Sequence, residues 1–140
     1  MDVITVRERY AVLAGLRLAL APPGRPVSAR EIAGFGGIPI KVAEQVLHGL
    51  RRGGVAVSRR GRTGGYCLTR GAELISVADV VEAVNGSYGG IGRMPAYGGE
   101  PAILIDPVVR RAEDAAHAVL ASATLADLVS QINRSDMYYI

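Results

Sequence analysis

Apolar residues in this chain fall into short helix-spaced runs separated by glycine and proline, with one brief stretch of strand-like alternation. The first run predicts a helix over residues 7–21. Val12, Leu16 and Ala19 or Leu20 supply its apolar stripe, with Tyr10, Leu13 and Ala14 beside it. Pro22-Pro23-Gly24 ends this helix, because proline restricts the residue before it and glycine releases the turn. Ser28 and Glu31 have capping-box spacing and open a short helix through about Gly34, with Ile32 and Ala33 facing inward. Gly36-Gly37 form a turn, and Pro39 suits the first turn of the next helix, where its missing N–H costs nothing. There Val42, Val46 and Leu50 recur at intervals of four, and Ala43 and Leu47 widen the stripe. Lys41, Glu44, Gln45, His48 and Arg52 remain on the polar face. Two short helices joined by a tight glycine turn, the second carrying a polar face, predict a helix-turn-helix.

Period two appears once, at Val55–Ser58, where Val55 and Val57 are expected to bury one face of a ribbon returning at Tyr66–Leu68. Between the strands Arg59, Arg60 and Arg62 are set among Gly61, Gly64 and Gly65. Such a tip is too small to be a core, and its positive charge suits a polyanion. The ribbon makes the motif a winged one.

The second half is helical again. Ser76 and Asp79 form another capping box, with Val77, Val80, Val81 and Val84 as the buried face of a helix stopped by Asn85-Gly86. Residues 87–100, rich in glycine, are read as a loop. An alanine-rich helix is expected from about Ile105 to Ser122, with Asp106 and Pro107 at its start. Val108, Ala112, Ala115 (or Ala116), Val119 and Ala123 make a small-residue seam along it, suited to a twofold dimer helix or to packing back on its own domain. Thr124–Asp127 caps a last helix carrying Leu125, Leu128, Val129 and Ile132. The fold class is therefore mainly α: a winged helix-turn-helix with a two-stranded β wing and a long C-terminal dimerisation helix. The expected division is a DNA-binding domain over 1–86, a glycine-rich sensing segment over 87–100, and dimerisation and C-terminal helices over 101–140.

Composition sharpens this picture mainly through charge. The net +3 conceals a split: residues 1–70 carry 12 basic and 4 acidic side chains, whereas residues 71–140 carry 4 and 9. A basic first half fits nucleic acid, and an acidic second half fits protein or solvent. No run of about 20 apolar residues suggests a membrane span, so a cytoplasmic protein without membrane contact is expected. A single cysteine, Cys67, excludes an intrachain disulfide. No phosphate loop, nucleophile–base set or carboxylate pair supports an enzyme.

The order of these signals resembles the Rrf2 family of bacterial transcription regulators over roughly residues 4–132. The resemblance runs through Glu8-Arg9-Tyr10-Ala11-Val12, Glu31-Ile32-Ala33, Glu44-Gln45-Val46-Leu47 with Leu50-Arg51, and Ser58-Arg59-Arg60-Gly61. It continues with Gly64-Gly65-Tyr66-Cys67-Leu68, Ile75 to Ala83, and Thr124-Leu125-Ala126-Asp127-Leu128-Val129. It implies a homodimer acting on imperfect palindromes in double-stranded DNA, with repression expected here. Comparison with the family's best-known iron–sulfur regulator implies base-edge contacts from Lys41 and Glu44 and minor-groove insertion by Arg60. These roles agree with lysine–guanine and glutamate–cytosine pairing and with the pull of a narrow minor groove on arginine. Gln45 is a candidate for adenine, while Ser28, Arg30, Arg59 and Arg62 are candidates for phosphate. The chain departs from the pattern at Val42-Ala43, where a bulkier Tyr-Leu pair is common, and in the loop where many members carry three cluster-binding cysteines. Here that loop reads SYGGIGRMPAYGGE, so no iron–sulfur cluster and no other cofactor or metal is expected. Three signals remain open: a small-molecule effector lined by Tyr88, Met94 and Tyr97, a protein partner on the acidic half, or redox chemistry at Cys67. A winged-helix module that binds protein with little DNA specificity is the alternative function.

Overall fold

The computed structural model describes residues 2–86 and 99–138. Six helices, α1 (Val6–Leu20), α2 (Ala29–Gly36), α3 (Ile40–Arg52), α4 (Val77–Asn85), α5 (Gly99–Ser122) and α6 (Leu125–Tyr138), accompany strands β1 (Ala56–Arg59) and β2 (Gly65–Leu68). Most helix starts follow from local chemistry. Ser28 and Ser76 cap α2 and α4 through reciprocal bonds with Glu31 and Asp79, as expected. Thr124 and Asp127 make the same exchange at α6, with Thr124 N–H donating to Asp127 Oδ2 over 2.9 Å.

Helix α1 lies at the centre and packs against α2, α3, α4, α6 and β2. Crowding on so many sides corrects the expected stripe. Ala11, Ala14, Gly15 and Leu18 are buried, and Val12 and Leu16 lie half-buried on the flanks. Small residues let the neighbouring helices approach: a Cβ placed on Gly15 would meet Leu125 and Val80 at 3.5 Å. Ile32, Val46, Leu47, Leu50, Ile75, Val80 and Leu125 complete a continuous core.

A second feature of α1 lies in its charged start. Thr5 caps it in a box with Glu8, whose side chain is buried at 5% exposure. The Glu8 carboxylate accepts from Thr5 N–H and from the Asn85 amide, each over 2.8 Å. It therefore joins the start of α1 to the end of α4. Burial of a carboxylate is tolerated because its lone pairs are satisfied.

The ribbon is antiparallel, with Ala56 opposite Leu68 and Arg59 opposite Gly65. Its buried face differs from the expectation at Val57, while Val55 is buried as expected. Val55 precedes the strand, its N–H bonded to the Leu50 carbonyl at the end of α3. Alternation then turns Ala56 inward and leaves Val57 38% exposed. Val27 also pairs with Tyr66 through bonds of 2.9 and 2.8 Å, fastening the residue before Ser28 to the ribbon. Gly65 is required at this junction, since a Cβ there would run into the Val27 carbonyl.

Helix α5 also starts earlier than expected, at Gly99, so Pro107 lies inside it. Proline removes the bond to the carbonyl four residues back, at Ile103. That turn is exposed, so water can take the place of the missing donor. Ala123 falls beyond the end of α5, half-buried, and its carbonyl accepts from Val77 N–H over 2.9 Å. It ties the C-terminal helices to α4.

Candidate nucleic-acid interface

Helices α2 and α3 are joined at Gly37, which adopts a left-handed φ of 63° that suits glycine and closes α2. Helix α3 follows from Pro39 and buries Ala43, Val46, Leu47 and Leu50 against the core. That burial fixes what faces water: Lys41, Glu44, Gln45 and His48 are all exposed. Ile40, the first residue of α3, is exposed with them at 45%. Its place was visible in the sequence, four residues before Glu44 and off the Val42–Val46–Leu50 line.

The wing adds charge beside the start of α2. Arg59 closes β1 opposite Gly65, and Gly65 is packed against Val27 and Ser28. The Ser28 and Arg59 positions are thus brought together through that glycine. The Ser28 hydroxyl oxygen accepts from Glu31 N–H over 3.2 Å, which leaves its own proton free to donate. Arg30, Arg59, Arg60 and Arg62 are exposed. Carboxylates paired with basic side chains among the described residues are Asp79, with Arg70 at 3.5 Å, and Glu82, hydrogen-bonded to His117 at 2.8 Å, so none of these four arginines, nor Lys41, is matched by a carboxylate there. A group of uncompensated cations on a helix-turn-helix and its wing offers a positive surface to a polyanion.

Other candidates lie elsewhere. Cys67 is half-buried opposite Val57 and lines a cavity of about 280 Å³ whose arginines are Arg25 and Arg70, not those of the wing tip. A more open cleft of about 400 Å³ at the wing root is lined by Arg52, Val55, Asp79 and Glu82 among others. Its Asp79 and Glu82 are matched by Arg70 and His117. Tyr88, Met94 and Tyr97 lie outside the described residues.

Helix α5 packs against α4 and carries an exposed apolar stripe. Val108 and Val119 are each 68% exposed, and Ala112 and Ala115 are exposed between them. The earlier start of the helix adds Leu104, 78% exposed, to the same stripe, with Ile103 and Ile105 beside it. No described helix is long and apolar enough to cross a membrane.

A family sequence model described as an iron-dependent transcriptional regulator, Rrf2, matches residues 4–131. The HTH-type transcriptional regulator IscR of Escherichia coli is 34% identical over 130 residues, covering 91% of this chain and 80% of that protein. Among solved structures, IscR of T. potens superposes with a TM-score of 0.76 at 28% identity, covering 96% of this chain and 90% of the other. CymR, the global cysteine regulator of B. subtilis, gives 0.73 at 30% identity, with 94% and 98% covered.

The iron in the family's description can be tested against the donors available. The chain has one thiol, Cys67, and two imidazoles, His48 and His117, and residues 87–98 contain no Cys, His, Asp or Glu. Among the described residues no three such side chains gather. This donor set does not fit a cysteine-ligated cluster. The family model and these relatives nevertheless cover most of the chain, which belongs to the Rrf2 family of winged helix-turn-helix transcriptional regulators.

Proposed function

We propose that this protein is a cluster-free repressor that binds an imperfect palindrome in double-stranded DNA as a homodimer. The observation that carries this reading is the set of exposed cations Arg30, Lys41, Arg59, Arg60 and Arg62 on the motif and its wing, unmatched by a carboxylate among the described residues. Lys41 donates to guanine O6 and N7, Glu44 accepts from cytosine N4, and Gln45 pairs with adenine. Arg60 enters the minor groove, where narrowing concentrates negative potential. Ser28, Arg30, Arg59 and Arg62 hold phosphates and set the register. The apolar stripe Leu104–Val108–Ala112–Ala115–Val119 meets its copy across a twofold axis, supported by its exposure in a single chain. A dimer seated on a promoter represses by occupying it.

The signal is then a small molecule or a protein partner, without a cofactor, and the setting is the cytoplasm. Selection of bound duplexes from a random library, followed by titration against selected and scrambled sites, tests the core of the proposal. A palindromic consensus bound tightly and lost steeply with salt is expected. Equal binding to scrambled DNA overturns it. The acidic second half favours one alternative, a winged-helix module that binds protein, for which selected and scrambled duplexes are bound equally weakly. Iron and sulfide assays on anaerobically purified protein test the cluster-free reading, and stoichiometric amounts of both refute it.

A further inference from the structure

We infer that Ile40 reads a thymine methyl group in the major groove, an inference that rests on the DNA-binding reading above. Ile40 opens α3 after Pro39 and is 45% exposed, whereas Ala43 and Val46, further along the helix, are fully buried. Its side chain is not needed to form the helix, because isoleucine is a weaker helix former than alanine. Glu44, one turn on along the helix, is exposed beside it, and Lys41, next in sequence, is exposed as well. Neither has an ion-pair partner among the described residues. An apolar group thus sits within a charged patch suited to DNA, at the end of the helix whose first residues meet base edges in helix-turn-helix complexes.

The major groove presents one apolar mark, the C5 methyl of thymine, and apolar side chains pack against it. Lys41 and Glu44 select G·C pairs by hydrogen bonding, and Ile40 adds selection for an adjoining A·T pair. The three side chains share one turn of helix, so the pairs they select are adjacent in the half-site. Water excluded from Ile40 by the methyl supplies the affinity.

The test uses the full chain and a duplex selected by it, with each thymine of the half-site replaced in turn by uracil, which removes only the methyl. Wild type is expected to lose roughly fourfold in affinity at one position per half-site, the effect of one buried methyl-sized group. Ile40→Ala is expected to bind the thymine and uracil duplexes equally there, while Ile40→Val keeps the difference. Circular dichroism of both variants is expected to match wild type, since the side chain is exposed. A selected half-site without thymine beside the G·C pairs, uniform affinity across the uracil series, or the same loss in Ile40→Ala overturns the inference while leaving DNA binding intact. Failure to distinguish selected from scrambled duplex overturns the DNA-binding reading and this inference with it.

Discussion

Replacing Arg59 and Arg62 together by alanine tests how the wing uses its charge. Both side chains are exposed and unmatched by a carboxylate among the described residues. Surface changes of this kind alter stability by no more than about 0.5 kcal/mol each. The effect on DNA binding is calculable if both arginines sit on phosphates. A dimer in which Arg30, Arg59 and Arg62 each neutralise one phosphate makes six such contacts, giving a slope of log affinity against log salt of about −5.4. Removing four of the six leaves about −1.8. The two lines converge as salt rises, so the affinity difference is greatest at low salt. Fluorescence anisotropy with a labelled operator over a salt series measures both slopes. The melting temperature, taken alongside, separates lost contacts from lost structure. A variant slope equal to the wild-type slope, with an unchanged melting temperature, refutes the phosphate assignment.

Four further outcomes follow from particular contacts. Arg60→Ala is expected to weaken operator binding by roughly 5- to 150-fold, about 1–3 kcal/mol for a good base contact, and to relax preference at the minor-groove positions. A competition binding series on mutated operators measures both. Glu8→Ala removes a satisfied, buried carboxylate and the reciprocal cap at Thr5, and leaves the Asn85 amide without its acceptor. Chemical denaturation is expected to show a loss of about 2 kcal/mol. Leu125→Ala opens a hole between Gly15 and Val80 and is expected to cost about 2–5 kcal/mol in the same measurement. Val108→Asp with Val119→Asp places charges on exposed positions of α5, so each protomer keeps its fold. Sedimentation is expected to report monomers, and a stable dimer of this variant counts against the α5 interface.

The elements that the sequence discloses well are those set by neighbours in the chain. The boxes at Ser28, Ser76 and Thr124 each need two side chains three residues apart and the amides between them. The stripe Ala43–Val46–Leu47–Leu50 is legible because one helix face meets one core, and the polar face opposite it follows by subtraction. The candidate DNA contacts were therefore readable as a set of positions. Gly37 and Gly61 mark their turns in the same local way.

Where several distant elements meet, local pattern gives way to packing. Val12 and Leu16 carry the stripe that the spacing of α1 suggests, but the surface surrounded by α3, α4 and α6 takes Ala11, Ala14, Gly15 and Leu18 instead. Glu8 has the local look of a solvated charge. Only the arrival of Asn85 from α4 makes its burial tolerable. Pro107 reads as a helix start because its own preference is local, yet α5 begins eight residues earlier.

The sequence by itself determined the order of the helices, their caps, the wing and the family, because hydrogen bonds within one turn and the spacing of side chains are short-range properties. Tertiary structure alone decided which face of α1 is buried, that Ala56 rather than Val57 turns inward, and that Val27 fastens the start of α2 to the wing. Each of those outcomes depends on a partner remote in the chain, and no local periodicity records where that partner lies.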